Sequence, residues 1–332
     1  MPVIVGRGWT QPGGRPHAES VALSQAGTAA KGATAYVTLE PCCHHGKSPP
    51  CTDALIESGI ARVVAAMEDP DSRVCGKGIT QLRKAGVDVE VDLCRIEAAR
   101  LNEGFISRIT DSRPMVTLKT ATTLDGRIAT AQGESQWITG AAARARVHLM
   151  RARHDAVLVG IGTALVDDPA LTARLPGLEA SSPVRIVVDT RLQLPLTANL
   201  VATAGEVPTW LITVNGGDET RLKAYRDCGV EVLSAAPDSA GYPDIHAAMG
   251  ALAEKGITRL LVEGGAGISA AFLRAGLVDR IAWFRAPGIM GGDGISAVAA
   301  YGLAQLEDMA RFDSVSSERL GDDRLETYRR RD

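Results

Sequence analysis

This sequence of 332 residues has few aromatic side chains, which make up 4% of it, and it has no excess of basic charge. Its formal net charge is −3, so it lacks the basic field and the aromatic-basic clusters that bind a phosphate backbone. No stretch approaches the roughly 20 apolar residues of a membrane span, and the first residues lack the charged and apolar regions of a signal peptide. These absences argue against a nucleic-acid or membrane partner and predict a cytoplasmic protein.

A disulfide framework is not expected in the cytoplasm, so the six cysteines need another explanation. Their distribution is uneven, because three of them, Cys42, Cys43 and Cys51, lie within ten residues. This cluster directs attention to the first third of the chain.

The length is about twice that of a common single domain of roughly 150 residues, which predicts two domains. Short β-branched runs alternate with helical stretches in both halves, and this rhythm is typical of α/β folds with a mostly parallel sheet. The polar cluster 110–114, closed by a proline, predicts the boundary and gives domains 1–112 and 113–332. The residues after Gly321 are polar and are predicted to form a loop.

The predicted elements follow from the apolar pattern. In the first domain we expect strands at 35–39, 62–66 and 87–91, and helices at 18–30, 51–58, 79–85 and 96–109. In the second domain we expect strands at 115–120, 156–159, 185–188, 209–213, 260–262 and 281–284, and helices at 141–153, 245–254 and 268–275. No self-similarity with a period of 20 to 50 residues is present, so a repeat protein is not expected.

His17-Ala18-Glu19, Pro41-Cys42 and Pro50-Cys51 form the most informative pattern of the first domain. One imidazole and two thiolates give Zn²⁺ three protein ligands and leave the fourth position open for water, as in a catalytic site. Glu19 is not a ligand, but it can take a proton from the bound water and pass it to a ring nitrogen and a leaving amine. This combination is typical of the zinc deaminases, which attack an amine-bearing ring carbon.

Eight residues separate Cys42 from Cys51, where the short form of the deaminase pattern has two. The insert carries a further thiol, Cys43, and a histidine pair, His44 and His45. One alternative is that these three residues form a structural site of their own, and another is that the insert is simply a loop.

The segment 38–52, Thr-Leu-Glu-Pro-Cys-Cys-His-His-Gly-Lys-Ser-Pro-Pro-Cys-Thr, and Pro-His-Ala-Glu at 16–19 resemble the deaminase domain of the bifunctional deaminase and reductase family of riboflavin biosynthesis. The long insert distinguishes this family from the cytidine and tRNA-adenosine deaminases. The resemblance implies a cytidine-deaminase-like three-layer α/β domain, with zinc ligands His17, Cys42 and Cys51 and the proton shuttle Glu19. Cys43 stands where the family commonly has serine, which leaves a spare thiol beside the metal.

Two glycine-rich turns of the second domain follow predicted strands. The first, Gly160-Ile161-Gly162, is not a dinucleotide-binding fingerprint, because Leu165 occupies the position of the third glycine. The second turn spans 264–267 and precedes a predicted helix, where backbone N–H groups and the positive helix end suit a phosphate. Alone it is a weak signal, since turns of this kind are more often without a ligand.

The segments 118–127, 133–139 and 167–174 closely resemble the reductase domain of the same family, whose α/β fold is like that of dihydrofolate reductase and whose cofactor is NADPH. The resemblance implies that NADPH is held by Ala121, Trp137, Thr163, Asp167, Thr190, Gly265, Ala266, Gly267, Ile268, Ser269, Ala270 and Ala271. It implies that the phosphoribosyl substrate is held by Ser135, Arg151, Leu171, Arg174 and Glu263. The two resemblances cover nearly the whole chain in the family's domain order.

The arginines among these residues suit a phosphate clamp, because a guanidinium is always protonated and binds phosphate through two hydrogen bonds. From the residues alone, a solvated helix or loop face would explain Arg151 and Arg174 equally well. Trp137 is equally explained as a core residue.

The sequence therefore predicts two successive steps of riboflavin biosynthesis on a small phosphoribosylaminopyrimidine, with one zinc ion per chain and NADPH as cofactors. The first step is hydrolytic deamination of 2,5-diamino-6-(5-phosphoribosylamino)pyrimidin-4-one. The second step reduces the ribosyl chain of the deaminated product to ribityl. A reductase with a structural or vestigial zinc module is the main alternative, and an adaptor protein is another, against which the net charge counts. The oligomeric state is left open.

The start of the chain adds one further expectation. In the resembling family a helix and a strand precede the region in which this sequence begins, and they help to line the deaminase pocket. We therefore expect an N-terminally incomplete deaminase domain with weak activity beside a competent reductase.

Overall fold

The computed structural model of the protein describes residues 3–46 and 48–331. These residues form two compact units, of which the first ends at Asp111 and the second begins at Ser112. Each unit has its own sheet and its own buried apolar cluster. Within the described residues, no helix has both the length and the apolar character that crossing a membrane requires.

The first unit is built on a parallel sheet with helices between its strands. Its elements in chain order are α1 (Ala18–Ala26), β1 (Thr34–Val37), α2 (Cys51–Glu57), β2 (Arg62–Ala65), α3 (Lys77–Lys84), β3 (Asp88–Val91), α4 (Arg95–Leu101) and α5 (Glu103–Thr110). The strand order is β1-β2-β3, and Thr34 pairs with Arg62, which pairs with Asp88. Leu55 and Leu82 pack in the core of this unit.

Two glycines end the helices that lead into the second and third strands. Gly59 follows α2 with a φ of 70°, and Gly86 follows α3 with a φ of 86°. A residue with a Cβ rarely adopts this left-handed conformation, which is common just after a helix. Each glycine therefore lets the chain turn directly from a helix into the next strand of the sheet.

The second unit contains a larger sheet and more helices. Its elements are β4 (Met115–Thr122), β5 (Arg127–Ala129), α6 (Ala141–Ala152), β6 (Ala156–Gly160), α7 (Ile161–Asp167), β7 (Val184–Val188), α8 (Asn199–Ala202), β8 (Thr209–Val214), α9 (Glu219–Asp227), β9 (Glu231–Ala235), α10 (Ile245–Glu254), β10 (Arg259–Val262), α11 (Ala266–Arg274), β11 (Arg280–Arg285), β12 (Ile295–Ser296), β13 (Phe312–Leu320) and β14 (Asp323–Arg330).

The main sheet has the order β13-β14-β11-β4-β10-β6-β7-β8-β9, and β5 pairs with β12 separately. All pairs from β11 through β9 are parallel, while β13 and β14 are antiparallel additions at one end. Leu158 and Leu260 point into one apolar cluster, and Val159 and Leu261 point into another. The central strands are thus buried on both faces, as a parallel sheet requires.

The C-terminal residues correct one expectation, because the segment after Gly321 is not a loop. It forms β14, which pairs with β11 on one side and with β13 on the other. Gly321, with a φ of 70°, makes the tight turn between β13 and β14. The segment looked loop-like because most of its side chains are polar, and Leu325 is its main buried apolar contact.

Helix 96–109, expected as one element, is two helices, α4 and α5, which meet at Asn102. Asn102 has a φ of −93° and a ψ of 6°, which interrupts the helical geometry. Its side-chain amide donates to the carbonyl of Ala98 at 3.0 Å, so it caps the end of α4.

Candidate functional sites

The first unit brings His17, Cys42 and Cys51 together, and their ligand atoms all lie within 4.8 Å of one another. His17 Nδ1 is 3.2 Å from the Cys51 sulfur and 3.5 Å from the Cys42 sulfur. Zinc bonds of about 2.0–2.3 Å at tetrahedral angles place ligand atoms roughly 3.3–3.8 Å apart, so the three residues fit a zinc ion. No other such group of three is present in the part of the chain that the structure describes.

The secondary structure sets the positions of these three side chains. His17 is the residue before α1, Cys42 lies in the loop after β1, and Cys51 is the first residue of α2. The backbone N–H of Cys51 donates to the Cys42 sulfur at 3.4 Å, and the N–H of Thr52 donates to the Cys42 carbonyl at 3.2 Å. The start of α2 therefore fixes the loop that carries Cys42.

Glu19 lies in the first turn of α1 and contacts the same cluster through the Cys51 thiol. Burial raises the pKa of the Glu19 carboxyl above its ordinary value. The hydrogen bond from the Cys51 thiol lowers the pKa of Cys42, and this contact with the Cys42 thiolate raises the pKa of Cys51. Arg15 Nη1 lies 2.9 Å from His17 Nδ1, so a positive charge occupies the neighbourhood in which a metal ion would bind.

Cys43 is not a member of the metal-ligand group, although it is next to Cys42 in the chain. It is half-buried and packs against the apolar cluster of Cys42, Cys51 and Val74. Burial raises the pKa of its thiol, which makes it less reactive than a solvated cysteine.

Glu40, which the sequence analysis did not single out, connects the Cys42 loop to the chain beyond β2. Its carboxylate is 3% exposed and accepts the backbone N–H groups of Asp69 at 3.1 Å, Gly76 at 2.9 Å and Ile79 at 3.1 Å. A Cβ on Gly78 would lie 2.2 Å from the Pro41 carbonyl oxygen, so only glycine allows this close approach. A charged residue between a strand and a metal ligand was the available signal.

The second unit contains a large cleft of about 1280 Å³ at the edge of the sheet where β6, β7 and β10 end. Parallel strands present their carboxyl ends at one edge, and ligands of α/β folds bind there. The cleft is larger than the roughly 300–1,000 Å³ that a single small ligand needs, so it has room for two ligands. Its lining includes all the residues predicted to hold NADPH or the substrate except Ser269.

Ser269 lies inside the unit instead. It is 1% exposed, and its hydroxyl donates at 3.2 Å to the carbonyl of Gly265, the residue before α11. The prediction covered a continuous segment 265–271, whereas a helix turns some of its residues away from any one surface.

A buried group of charges lies at the centre of the cleft. Arg151 donates from Nε to Glu263 Oε1 at 2.6 Å and from Nη2 to Oε2 at 2.9 Å. Lys119 Nζ lies 3.8 Å from the same Oε2. Burial raises the pKa of Glu263, but the charges of Arg151 and Lys119 outweigh it, so the net pKa lies below the usual value. Burial lowers the pKa of Lys119.

Lys119 is a cleft residue that the sequence analysis missed. It lies on β4, and its ammonium group is 5.9 Å from the centre of the Phe284 ring on β11. Its side chain is 18% exposed, which is unusual for a lysine without a functional or structural partner. A single charged residue within an otherwise uncharged strand was the signal that could have identified it.

The two glycine-rich turns meet at the same edge of the sheet. A Cβ on Gly160 would lie 2.7 Å from Ile268, and a Cβ on Gly264 would lie 2.5 Å from the same side chain. The N–H of Gly265 donates to Thr163 Oγ1 at 3.2 Å. Glycine at these positions therefore allows the start of α11 to pack against the start of α7.

Trp137 lies at the rim of the cleft and is 70% exposed. It is therefore not a core residue, which was the alternative explanation from the sequence alone. The Arg144 guanidinium lies 4.6 Å from the centre of its ring, as in a cation–π contact. An exposed tryptophan beside a cleft is available to stack on a ligand.

Comparison with known proteins gives two matches to family models. A model described as "RibD C-terminal domain" matches residues 114–325, and one described as "Cytidine and deoxycytidylate deaminase zinc-binding region" matches residues 3–67. The first match alone spans more than half of the chain. The chain belongs to the RibD family. The predicted family and the predicted fold class, a cytidine-deaminase-like zinc domain followed by a reductase domain, are confirmed.

Curated relatives agree with this assignment. The chain is 44% identical to the riboflavin biosynthesis protein RibD of Aquifex aeolicus over 327 residues, which cover 98% of this chain and 89% of that one. It is 40% identical to the RibD of Escherichia coli over 331 residues, covering 96% and 88% of the two chains.

Solved structures of the RibD family superpose on the protein. An Acinetobacter baumannii RibD matches with a TM-score of 0.86 and 36% identity, covering 99% of this chain and 89% of the other. A Thermotoga maritima diaminohydroxyphosphoribosylaminopyrimidine deaminase/5-amino-6-(5-phosphoribosylamino)uracil reductase matches with a TM-score of 0.80 and 34% identity, covering 96% and 86%. The roles of individual residues in this chain stay predictions.

Proposed function

We propose that this protein carries out two consecutive reactions of riboflavin biosynthesis, hydrolytic deamination in the first unit and NADPH-dependent reduction in the second. One observation carries the proposal. A single chain contains a His-Cys-Cys-Glu cluster and, in a separate unit, a cleft with a buried Arg-Glu-Lys group beside glycine-rich turns. The first set suits zinc-assisted hydrolysis, and the second suits an anionic substrate and a dinucleotide.

In the deamination step, His17, Cys42 and Cys51 hold the metal ion. Zinc supplies an acidified water molecule as the nucleophile when it is bound. The Glu19 carboxylate accepts the first proton that this water loses and delivers it to the pyrimidine ring nitrogen. It then takes the second proton, from the hydroxyl group added at the ring carbon, and delivers it to the amine, whose C–N bond breaks to release ammonia. The products are ammonia and the pyrimidinedione, so no other reactant is needed.

In the reduction step, NADPH would lie along the turns that carry Thr163 and Gly265 to Gly267, where the first N–H groups of α11 have no partner within the helix. NADPH supplies a hydride when it is bound. Trp137 at the rim is placed to cover an aromatic part of a ligand. These residues bind and orient the cofactor against the substrate, which is the main contribution of the protein to hydride transfer.

The substrate would occupy the part of the cleft that contains the charged group. Hydride addition at C1′ of the opened ribosyl chain needs a proton for the neighbouring heteroatom, and Lys119, whose pKa burial lowers, is a buried titratable group in this part of the cleft that can donate one. Arg174 is exposed on the cleft wall and Arg151, on α6, also lines the cleft, so both can approach a phosphate. The predicted cytoplasmic location is part of this proposal.

The test is a coupled assay on the 332-residue chain with 2,5-diamino-6-(5-phosphoribosylamino)pyrimidin-4-one as substrate. Ammonia release and NADPH oxidation should both occur, with one reduced product per ammonia released. NADPH oxidation only when the deaminated compound is supplied would favour the alternative of a reductase with a structural zinc module. The absence of both reactions would contradict the proposal.

A further inference from the structure

Helix α6 and segment 170–174 form one wall of the cleft and carry the two arginines that the proposed function assigns to the substrate phosphate. Arg151 lies on the helix, and Arg174 lies at the end of the segment. Two arginines can bind one phosphate together only when the elements that carry them are held at a fixed spacing. His148, three residues before Arg151, contacts the segment directly.

The contacts of His148 are with the backbone of the segment. Its Nδ1 lies 3.0 Å from the carbonyl oxygen of Thr172 and 3.3 Å from the backbone nitrogen of Arg174. The ring donates to the carbonyl in one tautomer and accepts from the amide in the other, so either tautomer ties the same segment to α6. Arg151 Nη1 donates to the same Thr172 carbonyl at 3.2 Å.

The segment needs such contacts because its backbone is strained. Leu171 has a φ of 52°, which is unfavourable for a residue with a Cβ and persists only where the surroundings fix it. Its side chain is 3% exposed, and the N–H of Ala173 donates to Ser182 Oγ at 3.1 Å. The segment is therefore fixed by contacts at three consecutive residues, 172 to 174, and His148 supplies the contact at one end or the other, according to its tautomer.

We propose that His148 is a positioning residue for the phosphate end of the substrate. It holds segment 172–174 against α6, so that Arg174 and Arg151 converge on one anion before the substrate binds. This inference rests on the proposed function of the cleft. Because His148 acts through the arginines, its removal should weaken substrate binding and leave hydride transfer and NADPH binding unchanged.

Two variants separate this role from a general packing role. In asparagine, the amide nitrogen and oxygen are the same number of bonds from Cα as Nδ1 is in histidine. In glutamine, they are one bond further from Cα, at the position of the histidine Nε2. We expect His148→Gln to raise the KM for 5-amino-6-(5-phosphoribosylamino)uracil about tenfold and His148→Asn to keep it within about threefold, with kcat and the Kd of NADPH unchanged in both. Arg153→Ala removes an exposed charge just after α6 and is the matched control, with a wild-type KM.

A second substrate locates the effect at the phosphate. The same aminouracil without its 5-phosphate lacks the group that the arginines bind, so wild type and His148→Gln should use it with equal KM. The inference is overturned if the KM of His148→Gln for the phosphorylated substrate equals that of the wild type. It is also overturned if His148→Asn raises this KM as much as His148→Gln does, or if His148→Gln raises the KM for the dephosphorylated compound by the same factor. No NADPH oxidation by the wild-type chain would instead overturn the proposed function.

Ser182→Ala keeps the inference testable if His148→Gln does not fold. This variant removes the contact between Ser182 Oγ and Ala173 and leaves α6 intact. We expect it to raise the KM for the phosphorylated substrate about threefold with kcat unchanged, because the segment loses one of its fixed points. An unchanged KM in Ser182→Ala would show that the segment needs no positioning.

Discussion

The Arg151 guanidinium and the Glu263 carboxylate are joined by two hydrogen bonds, and both side chains are nearly buried, at 12% and 6% exposed. The pair connects α6 to the end of β10, which lie 112 residues apart in the sequence. Arg151 therefore has a role in the fold that is separate from any contact with substrate. This distinguishes it from Arg174, which is exposed on the cleft wall.

Arg151→Ala should destabilise the second unit by about 3 kcal/mol, because the buried Glu263 carboxylate loses two hydrogen bonds and the nearer of its two positive neighbours, and keeps only Lys119. Urea unfolding followed by tryptophan fluorescence measures this change. Glu263→Gln combined with Arg151→Ala should recover part of the loss, since the double variant has no unpaired carboxylate. Equal stability of Arg151→Ala and wild type would show that the pair contributes little.

Arg174→Ala should leave stability unchanged and raise the KM for the phosphorylated substrate roughly ten- to hundredfold, since a charged hydrogen bond to phosphate contributes about 1.5–3 kcal/mol. Steady-state kinetics at saturating NADPH measure the KM, and fluorescence titration measures the Kd of NADPH. Arg153→Ala serves as the control for the loss of a nearby positive charge. If NADPH binding weakens instead, Arg174 holds the cofactor and not the substrate.

Cys51→Ala should lose the metal, whereas Cys43→Ser should retain about one zinc ion per chain. The reason is geometric, because the Cys51 sulfur belongs to the ligand group and the Cys43 sulfur does not. Inductively coupled plasma mass spectrometry on the purified proteins measures the zinc content. Equal loss in both variants would contradict the ligand assignment.

The sequence was most informative where the fold buries short apolar runs. Strands β6, β7 and β10 were expected at nearly their observed positions, because a parallel strand covered on both faces is apolar throughout. Strand β14 was not, because its position depends on pairing with β11 and β13 and its side chains are largely polar. Long-range pairing of this kind leaves no local pattern in the sequence.

The two sites differ in the same way, because the metal site is marked by local sequence motifs and the charged group of the cleft depends on long-range contacts. His17, Cys42 and Cys51 stand in short motifs whose spacing already indicates their chemistry. Lys119 contacts Glu263, which is 144 residues away, and the residues around Lys119 in the sequence do not predict this contact. The role of Glu40 likewise depends on hydrogen bonds from three backbone N–H groups that lie 29 to 39 residues further along the chain.

Gly78→Ala should weaken zinc binding, because its Cβ would lie 2.2 Å from the Pro41 carbonyl oxygen, next to the metal ligand Cys42. The loop must shift to relieve the overlap, and the ligand shifts with it. Zinc release to a chromogenic chelator should become at least about tenfold faster, since a displaced ligand costs more than about 1.4 kcal/mol. Gly250→Ala, at a helix position with open space around it, is the control. If Gly78→Ala released zinc at the same rate as the wild type, the loop would tolerate the change.

His154 is a partly buried histidine that connects the end of α6 to β4. Its Nδ1 is 2.7 Å from the Met150 carbonyl and therefore carries a proton, which leaves Nε2 to accept from the Thr117 hydroxyl at 3.1 Å. Burial lowers the pKa of His154 from its usual value of 6.5. The positive charge of Arg259 also lowers it, while the negative charges of Asp155 and Glu263 oppose the shift. The neutral ring is thus the form that the fold selects.

His154 should therefore make the second unit less stable in acid. Above pH 6.5 the histidine is neutral in both folded and unfolded chains, and its contribution is fully present. As the pH falls below 6.5, the unfolded chain binds a proton that the folded chain resists, so stability falls by up to about 1.4 kcal/mol per pH unit until the folded pKa is reached. His154→Gln keeps a partner for Thr117 but does not titrate. Urea unfolding at pH 7.5, 6.5 and 5.5 should show wild type losing its advantage over the variant as the pH falls, and a constant difference would contradict the neutral buried ring.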